Sequence, residues 1–113
     1  MTLSDKQRLF TKLLGQLIDW AYQNGMELSL GEAYRTPEQA KLNADRGTGI
    51  RNSLHCERLA VDLNLFVAGV YIDSTEGHRR LGEYWESLHP NCRWGGRFKD
   101  GNHYSFSPDG KRA

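Results

Sequence analysis

The chain has 113 residues and a mass of 12.9 kDa, with 38% hydrophobic and 26% charged residues, the balance of one globular domain able to bury a core. Its 15 Lys and Arg against 14 Asp and Glu leave a net charge of +1, evenly spread, without the basic stripe of a nucleic-acid binder. No apolar run approaches the roughly 18 residues of a membrane span, and the N-terminus lacks a basic-then-apolar secretory signal, so the expectation is a chain made in the cytoplasm; a monomer is expected as well.

Ser4 with Gln7 three residues on reads as a capping box. After it, Leu9, Phe10, Leu13, Leu14, Leu17, Ile18 and Ala21 form one helical stripe that ends at Asn24-Gly25. Residues 26–34 alternate as a strand. Thr36 as N-cap, Pro37 at the first helical position and Gln39 completing a second box start another helix, fading near Asp45. A glycine-containing loop, 46–52, follows; it lacks the lysine and spacing of a phosphate-binding loop.

Leu59 to Phe66 is the clearest strand, with Leu59, Val61, Leu63 and Leu65 on one face and Ala60, Asp62 and Asn64 on the other. Ala68-Gly69 turns it into a short partner, Val70 to Ile72. Ser74 or Thr75 caps a third helix whose Leu81, Tyr84, Trp85 and Leu88 share a face, and Pro90 stops it. Residues 91–102 read as a loop, His103 to Phe106 as a last strand, and 108–113 as a frayed tail. With no repeat or linker, the expectation is a single domain over 1–113.

His55, Asp62 and His103 supply two imidazoles and a carboxylate, a donor set that suits a catalytic zinc ion with an open fourth position. Seven residues of straight strand would hold His55 and Asp62 roughly 23 Å apart, and seven of helix roughly 10.5 Å. The chain must therefore fold back between them, most easily at Glu57-Arg58. By spacing alone, surface or hydrogen-bonded roles for these three residues are the better reading. Asp100, three residues before His103, could take a proton from a zinc-held water. Arg35, between the first strand and second helix, could steady a developing oxyanion. Cys56 and Cys92 make neither a disulfide framework nor a thiolate metal site, and His78 and His89 read as surface residues.

Together these residues resemble the M15 family of zinc peptidases, which groups D-Ala-D-Ala dipeptidases and carboxypeptidases with phage L-alanyl-D-glutamate endopeptidases. The family's Ser-x-His-x-x-Gly-x-Ala-x-Asp pattern is matched by Ser53, His55, Ala60 and Asp62. Its acid-x-x-His is matched by Asp100 and His103, and its upstream arginine by Arg35 in Tyr34-Arg35-Thr36. Trp94-Gly95-Gly96 is similar to a segment of the phage endolysin branch. The resemblance implies an α+β fold of the Hedgehog/DD-peptidase type, a small antiparallel sheet carrying one Zn2+ and flanked by helices. It implies His55, Asp62 and His103 as ligands, Asp100 as general base and Arg35 at the carbonyl oxygen. From the residues themselves, Ser53 could orient substrate, and Trp94 could stack on substrate or equally pack in the core beside two glycines. The substrate implied is a peptidoglycan stem peptide, cut at L-Ala–D-Glu by a phage or prophage endolysin that is stored in the cytoplasm and released to the wall. A D-Ala-D-Ala carboxypeptidase is the alternative, and a non-catalytic wall-binding or phage structural module is the rival of another class. The family's glycine is Arg58 here; the expected consequence is a turn of different shape, rather than an Arg58 turned into the cleft toward an acidic substrate.

Overall fold

A computed structural model describes residues 1–47 and 54–107; Ser53, most of the expected 46–52 loop and the expected 108–113 tail lie outside them. The first helix, α1, spans Leu3–Gln23. Its cap is Thr2, whose hydroxyl accepts from Asp5 N while the Asp5 carboxylate accepts from Thr2 N, so the box falls two residues before the expected Ser4. Gln7 instead donates its side-chain amide to Glu57 O at 2.8 Å, tying α1 to the turn below the site. Phe10, Leu13, Leu17 and Ala21 are the buried stripe.

The strand β1 is Met26–Leu30, shorter than the expected 26–34. Beyond it Gly31 N donates to Asp62 O and Asp62 N to Glu32 O, both at 2.8 Å. Two residues thus oppose one, the arrangement of a bulge, which bends the strand and redirects the next side chains. The second helix, α2, is Pro37–Asp45, capped by Thr36, whose hydroxyl accepts from Gln39 N. The Gln39 amide turns to Asn43 rather than back to the cap, so this box is half-formed.

The strand β2 (Ala60–Val67) is the spine of the sheet. Along one edge it pairs antiparallel with β1, Leu30 opposite Leu63. The other edge is divided between β3 (Val70–Ile72) and β5 (His103–Phe106), with Asp62 directly opposite His103. Ala68 and Gly69 both take positive φ in the β2–β3 hairpin turn. The third helix, α3 (Arg79–Leu88), is preceded by a short 3-10 turn, Glu76–His78. Residues 91–102 are not the loop expected: Cys92–Trp94 form strand β4 against β5, and Gly95–Phe98 a 3-10 turn.

The core lies between α1, α3 and the inner face of the sheet, filled by Leu17, Leu63, Leu65, Leu81, Trp85 and Phe106. Leu59, Val61, Leu63 and Leu65 are all at most 2% exposed, as their alternation requires. The Trp85 indole N–H donates to Ser105 O at 3.0 Å, fixing α3 to the strand that carries His103. His78, expected at the surface, is 2% exposed; its Nδ1 meets Tyr104 Oη at 2.8 Å inside this core. Three α-helices and a five-stranded antiparallel sheet among the described residues make the fold α+β.

Candidate metal centre

The site forms where β2, β5 and the turn before β2 converge. Leu54–Glu57 is a 3-10 turn that carries His55, and Leu59 N returns to Leu54 O at 3.0 Å. The fold-back falls where expected, but not in the expected shape. Arg58 itself takes φ +57°, so the left-handed bend that a glycine would favour is kept by an arginine. A side chain in that region costs on the order of 1–2 kcal/mol. The Arg58 guanidinium lies over the Tyr34 ring at 4.1 Å, an interaction that offsets part of that cost.

This fold-back and the β2–β5 pairing bring the three residues separated in sequence to one point. His55 Nε2 lies 3.2 Å from His103 Nδ1 and 3.3 Å from Asp62 Oδ1, and His103 Nδ1 lies 3.4 Å from the same oxygen. The near-equilateral triangle has the dimensions of a metal site. Tetrahedral zinc with ligands at 2.0–2.1 Å separates any two of them by roughly 3.3–3.4 Å. Both imidazoles are buried, His55 2% and His103 4% exposed, while the Asp62 carboxylate keeps a route to solvent. Burial pushes the Asp62 carboxyl up, but hydrogen bonds with His103 and His55 and their charges outweigh it, holding the group well below the usual carboxylate range. An ionised carboxylate beside two imidazole nitrogens is a donor set that fits a divalent cation. Among the described residues this is the group of His, Cys, Asp and Glu whose donor atoms converge in this way.

The other expected site residues divide. Asp100 is exposed and stands outside the triangle; its backbone O accepts from His103 N at 3.1 Å, so it is fixed close to His103 without joining the group. Gly95 allows that approach, since a Cβ there would lie 2.3 Å from Asp100 O and 2.8 Å from His103 Cβ. Arg35 N donates to His55 O at 3.3 Å, which places Arg35 beside the triangle. Trp94, expected as a surface for substrate, is 1% exposed. Its ring packs between Gly82 and Gly96 and its N–H donates to Gly101 O at 2.7 Å, so neither face is open to a ligand.

Glu32 was not among the expected site residues. Its Oε1 accepts from Arg35 Nε at 2.8 Å, pairs also with Arg35 Nη2, and lies 3.8 Å from His55 Nδ1. Glu32 three residues before Arg35 follows no helical or strand rule, because the bulge at Gly31 decides where it points. His78 was missed for a similar reason, its partner Tyr104 being 26 residues away.

The fold is thus a small antiparallel sheet that carries a His-Asp-His corner, with helices on its other face. The chain is similar in fold to the Serratia marcescens L-Ala D-Glu endopeptidase ChiX, with a TM-score of 0.73 and 17% identity over 92% of this chain and 85% of that one. It is likewise similar to a variant of the vancomycin-resistance D,D-pentapeptidase VanY from a VanB-type cassette, solved in complex with Zn(II), with a TM-score of 0.60 and 20% identity over 86% and 70% of the two chains. No protein-family model matches the chain, and no curated protein sequence does.

Proposed function

We propose that the chain is a zinc-dependent peptidase that hydrolyses peptidoglycan stem peptides. The observation that carries this reading is the 3.2, 3.3 and 3.4 Å triangle of His55, Asp62 and His103, whose edges are those of a tetrahedral zinc site with one corner left for solvent or substrate. The fold similarity to two wall-peptide peptidases, one of them solved with Zn(II), supports the substrate class. Zinc bound there would polarise the scissile carbonyl and acidify a water.

The remaining work falls to the chain's own residues. Asp62, held ionised, keeps the corner negative. Asp100 takes the proton of the attacking water and returns it to the leaving amine. Arg35 donates to the carbonyl oxygen as negative charge gathers there. A guanidinium has five N–H groups, and the contacts to Glu32 leave donors for that oxygen.

The bond we assign is L-Ala–D-Glu, because the endopeptidase shares more of the fold than the D,D-pentapeptidase does. Trp94-Gly95-Gly96 supports a phage or prophage endolysin, one that meets the wall after release from the cytoplasm. Digestion of purified peptidoglycan with Zn(II) supplied, followed by mass spectrometry, tests the whole reading. New L-Ala carboxyl and D-Glu amino ends are expected. Released D-Ala would instead establish the carboxypeptidase, a reading favoured by the similarity to VanY. Intact peptidoglycan with zinc bound to the protein would leave a non-catalytic wall-binding module.

A further inference from the structure

Glu32 has no part in that chemistry, yet its carboxylate stands between the two features that the chemistry must hold in relation. One oxygen, Oε1, accepts from Arg35 Nε at 2.8 Å and faces the Nδ1 side of His55 at 3.8 Å, beyond hydrogen-bond reach but close enough for its charge to act there. The opposite nitrogen of that ring, Nε2, is a corner of the triangle. A neutral imidazole that offers Nε2 to a metal carries its proton on Nδ1, so a carboxylate charge facing the Nδ1 side favours the right tautomer and ring orientation. The backbone reinforces the arrangement. At the bulge, Glu32 O accepts from Asp62 N, so the residue that faces one proposed ligand through its side chain is joined to a second through its main chain. Gly31 permits this, because a Cβ there would already press on Asp62 at 3.1 Å.

We propose that Glu32 is a positioning residue that fixes His55 for metal binding and Arg35 for substrate through the same carboxylate oxygen. The proposal rests on the reading of the triangle as a zinc site. Two effects are separable. Glu32 orients His55, and it also neutralises Arg35, whose charge would otherwise oppose a nearby cation. We assign the larger effect to orientation.

The test is competition of the apo-protein against a chromophoric chelator for Zn(II), with the visible spectrum of the Co(II)-loaded protein as the second readout. E32A should bind Zn(II) about 10–100-fold more weakly, the usual consequence of losing such a partner, and its Co(II) bands should shift. E32Q, nearly isosteric, should also bind more weakly and serves if E32A does not fold. The double variant E32A/R35A decides between the two effects, and the loss should persist in it. Wild-type affinity in E32A with an unchanged Co(II) spectrum would overturn the proposal. Recovery in the double variant would overturn it too, by reducing Glu32 to a counter-charge. A wild-type chain that takes up neither ion would overturn the zinc site and Glu32's role together, which separates that failure from the other two.

Discussion

Gly82 sits on the buried face of α3, where helix propensity and packing make opposite predictions for alanine. Propensity alone favours Gly82→Ala by about 1 kcal/mol. The added Cβ, however, would lie 2.1 Å from Trp94 Cδ2, 2.3 Å from Cγ and 2.5 Å from Cε2. Ordinary contact begins at 3.4 Å, so helix and ring must separate by about 1.3 Å, the difference from 2.1 Å. Neither can yield cheaply. The ring is backed by Gly96 and tethered to Gly101 O, and the helix is tethered through Trp85 to Arg93 O and Ser105 O. Overpacking of this kind costs typically 1–3 kcal/mol, and with both partners pinned the upper end applies. The net expectation is a loss of about 2 kcal/mol, or a melting temperature lower by roughly 8 °C or more. Gly15→Ala is the internal control: a Cβ there meets nothing within 4 Å, so the propensity gain of about 1 kcal/mol should be realised in full. Thermal and urea unfolding of the two variants, followed by circular dichroism, measures both signs. A Gly82→Ala protein as stable as wild type would refute the packing argument.

Further outcomes follow from the site and the core. Arg58→Gly should be more stable than Arg58→Ala by on the order of 1 kcal/mol, because only glycine accepts φ +57° without strain, whereas Ala keeps the strain and loses the stacking on Tyr34; equal unfolding midpoints would deny the strained turn. His103→Ala should abolish both zinc retention and peptide hydrolysis, and Asp100→Ala should retain zinc, measured by metal analysis, while turnover falls by about 10²-fold or more. Full turnover in the latter would remove Asp100 from the reaction. Burial lowers the His78 pKa below its ordinary 6.5, against the opposing hydrogen bond to the Ile72 backbone. The unfolded chain therefore binds the extra proton first, so this contribution is complete above about pH 6.5 and is lost as pH falls from there through the folded value. His78→Gln should flatten that part of the stability–pH curve, and an unchanged slope would reject the buried neutral imidazole.

Much of this architecture can be read from the chain itself, for identifiable reasons. The β2 strand is legible because four apolar residues at period two face the core and Asp62 falls on the opposite phase. The start of α2 is legible because Thr36 and Pro37 act locally. The cap of α1 is less so: Ser4 with Gln7 and Thr2 with Asp5 offer the same pattern two residues apart. Gln7's bond to Glu57, fifty residues away, occupies the glutamine that the first box would need. The β4 strand escapes notice since it has only three residues with Arg93 in the middle, and pairing with β5 rather than propensity defines it. The metal corner is suggested by residue type and resemblance, but its dimensions depend on how β5 meets β2. The place of Glu32 depends on the bulge at Gly31, which no local pattern announces, whereas core packing of Trp94 beside its glycines is one of the two readings its sequence neighbourhood offers.

The direct opposition of Asp62 and His103 also bears on how the sheet selects its own alignment. Side chains alternate along a strand, so a slip of β5 by a single residue would present Tyr104 where the histidine belongs and turn His103 toward the helices. Such a misaligned sheet displaces Tyr104 and Phe106 from the places they fill in the core, and it has no corner for a cation. An ion that binds one alignment and not the other favours it by mass action, in proportion to the logarithm of its free concentration over Kd. Zinc would then act as a proofreader of strand pairing while the chain folds, before any substrate has been met.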